Sequence, residues 1–95
     1  MNDPITAARA AALFVSHLSA TAQPTDQEVA AAIRHALLSH GGSRACAADV
    51  AAEYGDHPEL AVVRMRWART LVDEVFGAAR PVAAHPSRRA STLAA

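Results

Sequence analysis

The fold is decided by the stretch TDQEVAAAIRHALLSHGG, residues 25–42. Thr25 and Glu28 stand in the T-x-x-E arrangement, in which each side chain accepts a hydrogen bond from the other's backbone amide. This capping box marks a helix start. Val29, Ile33, Ala36, Leu37 and His40 then recur at helical spacing along one face. Gly41-Gly42 closes the segment, because glycine takes the left-handed conformation that a helix end needs without steric cost. One helix, residues 26–40, is therefore written from its start to its stop. Leu38 falls off its apolar face.

Upstream, Asp3-Pro4 opens another helix: the carboxylate can cap free amides, and proline suits the first helical position. Ile5, Ala7, Ala8, Ala11, Ala12, Phe14, Val15 and Leu18 share one face, with Arg9, Ser16, Thr6 and His17 opposite. Leu13 lies among the polar residues. The pattern predicts a helix over 4–20, ending near Ser19 or Ala20 before the loose TAQP.

Downstream, Ser43 is the expected cap of a third helix, 44–54. Cys46, Ala47, Val50, Ala51 and Tyr54 lie on one face, Asp49 and Glu53 face solvent, and Gly55 ends it. A second box, Asp56-x-x-Glu59, predicts a fourth helix over 57–76 that closes at Gly77. Its apolar residues, among them Leu60, Val63, Trp67, Leu71, Val72 and Phe76, spread over more than half the circumference. A helix so apolar is expected to pack on two sides, either at the centre of the bundle or across a dimer. Beyond Ala78 the period is lost. Residues 78–95 carry three arginines and no acid, which predicts a flexible basic tail.

Composition agrees. About a quarter of the 95 residues are alanine, the best helix former, and every basic residue is arginine. The expectation is a small all-α domain of four helices with short loops over residues 1–77. Net charge is zero, which disfavours a dedicated nucleic-acid binder. The opening residues have neither the basic start of a signal peptide nor the apolar length of a membrane span, so no membrane role and a cytoplasmic location are expected. A lone cysteine, Cys46, excludes an intramolecular disulfide.

The segment that suggests chemistry is DVAAEYGDHPELAVVRMRWAR, residues 49–69. Ala51, Gly55 and Ala61 have the small-residue spacing that lets two helices of a helix-turn-helix cross closely. Val50, Tyr54 and Val62 supply the adjoining apolar contacts. As a DNA reader this segment would use His57, Arg64, Arg66 and Arg69. The start of a recognition helix, where base edges are met, here holds Asp56 and Glu59, which repel phosphate. His35, His40, His57 and Cys46 have no compact ligand spacing, so no metal or other cofactor is expected. Cys46, on the apolar face, reads as a buried thiol rather than a nucleophile, and Trp67 as a core anchor. Arg88-Arg89-Ala90-Ser91 has the R-R-x-S form of basophilic kinase sites. No paired carboxylates, nucleophile elbow or phosphate loop is present.

The core C-A-x-x-V-A-x-E-Y-G-D-H-P-E…R-M-R-W, from Cys46 through Trp67, resembles that of short helical proteins of Streptomyces and related actinobacteria. The similarity extends upstream to about Ala10. It implies a source and carries no activity, so it supplies no functional residues. The expected function is a non-enzymatic protein–protein interaction module that forms a homodimer. Leu13, Leu38, Val62, Met65 and Phe76 are the candidate interface, since apolar residues on polar faces call for a cover. The alternative is the DNA-binding regulator using residues 49–69.

Overall fold

The computed structural model describes residues 3–77, and these form four α-helices: α1 Pro4–Phe14, α2 Asp26–His40, α3 Ser43–Asp56 and α4 Pro58–Phe76. The basic segment 78–95 lies outside the described residues. Helix α2 follows the sequence in full. The Thr25 hydroxyl accepts from the Glu28 amide at 3.1 Å, and the Glu28 carboxylate accepts from the Thr25 amide at 2.8 Å. Gly41 ends the helix at φ 95°, with its amide bonded to the Leu37 carbonyl. At the head of α1 the Asp3 carboxylate accepts from the Thr6 amide at 2.7 Å. That bond, joined by the Thr6 hydroxyl, holds the Asp3 pKa below its ordinary value.

Three helix ends differ from expectation. Helix α1 stops at Phe14, well short of Ala20. The Ser16 amide and hydroxyl both donate to the Leu13 carbonyl, and the Ser16 oxygen then accepts from the Leu18 amide, so the chain turns out of the helix. Helix α3 begins on Ser43 itself, with Gly42 as its cap residue and no side-chain bond. It also runs straight through Gly55 to Asp56. The break falls instead at His57, which has φ −141° and ψ 68°. Proline excludes the helical conformation from the residue before it, so Pro58 sets the break one residue upstream of itself. Asp56 therefore closes α3 and caps nothing on α4, and the anticipated Asp56–Glu59 box does not form.

Helix α1 is the centre of the fold. It touches α2, α3 and α4, most extensively α4, whereas α2 and α4 barely meet. Five consecutive residues, Ala10 to Phe14, are buried, as happens only where a helix is covered on every side. Alanines at three of these positions let the neighbours approach closely. Leu13, expected on a polar face and offered as an interface residue, is 0% exposed and belongs to the core with Val29, Cys46 and Val72. Leu38 is 78% exposed, as its position predicts.

The broad apolar arc of α4 packs on α1 and, less extensively, on α3, and part of it stays uncovered. Ala61, Ala68, Leu71 and Val72 are buried, and Met65, Trp67, Val75 and Phe76 are half-buried against the core. Leu60 and Val63 stand 69% and 59% exposed. No helix among the described residues is long and apolar enough to cross a membrane.

Replacing Leu13 by alanine is expected to lower the unfolding free energy by about 2–5 kcal/mol, and Leu38→Ala by less than about 0.5 kcal/mol. Urea melts of the two variants would check the contrast, and equal losses would contradict the placement of α1.

Candidate functional site

The joint between α3 and α4 projects from the bundle: every residue from Ala51 to Leu60 is exposed. Behind it lies an open cleft of about 630 Å³ between the end of α1, α3 and the first turns of α4. Phe14, Val15, Ala52, Leu60 and Ala61 form its apolar lining. Its polar rim holds Ser16, His40, Asp49, Glu53 and Arg64.

Arg64 is the best-anchored of these side chains. Its Nε donates to the Phe14 carbonyl at 2.6 Å, and one terminal nitrogen donates to the carbonyls of Ser16 at 3.1 Å and Leu18 at 2.8 Å. The guanidinium also lies over the Trp67 ring at 4.6 Å and near the Phe14 ring at 5.9 Å. Partial burial lowers its pKa from the ordinary arginine value, though an arginine stays charged. The cation is thus spent on the carbonyls released where α1 unwinds.

The acids of the rim are held by histidines. His40 Nδ1 lies 2.6 Å from Asp49 Oδ2, tying the end of α2 to α3. At the break after α3, His57 Nδ1 stands 3.6 Å from Glu53 Oε1, one helical turn back. An aspartate–histidine pair can orient an imidazole as a base. The one cysteine is not its partner: Cys46 is fully buried and its thiol points to the Ala36 carbonyl at 3.7 Å. Burial raises the thiol pKa, and the Asp49 charge adds to the rise. Among the described residues no three His, Cys, Asp or Glu side chains gather as metal ligands would.

The helix-turn-helix spacing is not used as one. Gly55 is helical rather than in a turn, the only positive-φ residues among those described being Gly41 and Gly42. A Cβ placed on Gly55 would meet nothing within 4 Å, so no partner helix needs it small. Ala51 is exposed and only Ala61 of the three is buried. The four residues named for DNA contact differ in their surroundings. Arg64 is committed to the α1 carbonyls, while His57, Arg66 and Arg69 are exposed. Of the interface candidates, Val62 is 42% exposed and Leu38 more so. Met65 is half-buried, and Phe76 is likewise half-buried with the Arg9 guanidinium 4.0 Å over its ring. Sequence reading missed the Arg64 clamp altogether. An arginine on a largely apolar helix surface was the available signal; its carbonyl partners are the last residue of α1 and two residues of a loop that periodicity assigned to helix.

No family model, curated protein or solved structure matches this chain.

Arg64→Ala is expected to cost about 2–3 kcal/mol in a denaturant melt, since it strands three carbonyls. Arg64→Lys should recover only part of this, because an ammonium lacks the planar fork. At mildly alkaline pH, below the raised pKa, Cys46 should stay protected. The raised pKa means its contribution to stability is complete below the unfolded thiol's pKa and is lost as pH climbs through the folded one. A thiol reagent at mildly alkaline pH should therefore react at the rate of protein opening, checked by its acceleration with sub-denaturing urea.

Proposed function

We propose that the protein is a non-enzymatic interaction module that associates with a second copy of itself through the start of α4. The observation that carries this reading is the exposure of Leu60 and Val63, three residues apart on one helix face, with Tyr54 on the adjoining end of α3. Tyr54 is not loose: its ring stacks on that of Phe14 at 6.3 Å, so part of the patch is pre-ordered. A pre-ordered aromatic costs less entropy when a partner covers it.

A helix face of this kind suits a two-fold contact, in which the same patch from each copy meets its equivalent. The core supports the same reading: α4 has more apolar surface than α1 and α3 cover, and a second copy would cover the rest. The sequence resemblance adds nothing to this, since it carries no activity.

Light scattering at micromolar concentration tests the proposal. A dimer is expected, and Leu60→Glu with Val63→Glu should raise its dissociation constant by at least about tenfold. The circular dichroism spectrum should not change, because both side chains face solvent. A wild-type chain that remains monomeric as concentration rises removes the proposal.

A further inference from the structure

The zero net charge of the chain is a sum of two unlike parts. Residues 3–77 hold nine acids and six arginines, a balance of −3, and residues 78–95 hold Arg80, Arg88 and Arg89 with no acid, a balance of +3. Four of the nine acids, Asp49, Glu53, Asp56 and Glu59, fall on the exposed α3–α4 joint. Asp49 and Glu53 line the cleft with their side chains about half exposed. The cation beside them, Arg64, is already bonded to three carbonyls. The cleft therefore offers an apolar floor of Phe14, Ala52 and Leu60 under two carboxylates. That combination fits an arginine side chain, whose methylene stem lies on apolar surface while its guanidinium bonds carboxylate.

We propose that this cleft takes Arg88 and Arg89 of the same chain. Reach selects this pair. From Ala61 at the cleft to Gly77 at the end of α4 the helix rises about 24 Å. The eleven residues from Ala78 to Arg88 span at most about 36 Å when extended, so Arg88 and Arg89 can return to the cleft. Arg80, three residues past Gly77, cannot. The contact shares Leu60 with the self-association patch, leaves Val63 uncovered and does not rest on self-association.

Trypsin cleavage of the full-length chain tests it, with the products identified by mass spectrometry. At low ionic strength, cleavage after Arg88 and Arg89 should be about fivefold slower in the wild type than in Asp49→Asn/Glu53→Gln, the effect expected of one or two exposed ion pairs. The single variant Glu53→Gln, which leaves the His40–Asp49 bond in place, should lie between the two and guards against misfolding of the double variant. About 0.5 M salt should erase the difference by screening. Equal cleavage rates in all three proteins at low salt overturn the proposal. Protection that grows with protein concentration also overturns it, since the arginines would then be held by another copy; light scattering reports separately on the α4 contact.

Discussion

The arrangement depends on where α1 stops and what receives its end. A helix terminus leaves carbonyls without partners, and burying them unsatisfied is costly. Here α1 unwinds after Phe14 inside the bundle, against α4, and the Arg64 guanidinium takes the carbonyls of Phe14, Ser16 and Leu18. One planar cation thus ends one helix, fixes the direction of the following loop and ties both to another helix. Its stacking on Trp67 holds the fork in place. The loop then runs to Pro24 and Thr25, where the capping box starts α2.

A short α1 can be a central α1. With eleven residues, and alanine at most of its buried positions, it fits among three longer helices and lets each approach. The consequence reaches α4, whose apolar surface exceeds what α1 can cover. Leu60 and Val63 remain largely outside: Leu60 lines the open cleft, and neither side chain is covered by α1 or α3. The exposed apolar surface of α4 is therefore a by-product of how the core is allotted.

The α3–α4 joint concentrates the remaining features of interest. Pro58 breaks the chain at a single residue, so two helices meet with almost no loop and carry their acids, the exposed Tyr54 and the first apolar residues of α4 out into solvent. The cleft behind this joint is acidic on its rim because its arginine is occupied elsewhere. A cation that looks available in the sequence is removed from the surface by the backbone that it serves.

Much of this was legible in the chain itself. The cap at Asp3, the box at Thr25 and Glu28, and the Gly41-Gly42 stop are local devices, formed between residues a few positions apart, and they appear as written. The all-helical class and the existence of four helices follow from the same local chemistry. Where reading failed, a competing local rule or a distant contact had won. Pro58 overrode both Gly55 as a stop and Asp56 as a cap, a conflict visible in the sequence but settled against the glycine. The end of α1, the burial of Leu13 and the role of Arg64 were beyond local reading. Periodicity assigns a residue to a face but does not say how many faces are covered, and that number depends on which helix occupies the centre. By itself the sequence determined where helices start and of what kind they are, since caps and propensities act within one turn. Only the tertiary structure decided which helix lies inside, which apolar side chains stay exposed and which cation is spent, because those outcomes depend on contacts between residues some fifty positions apart.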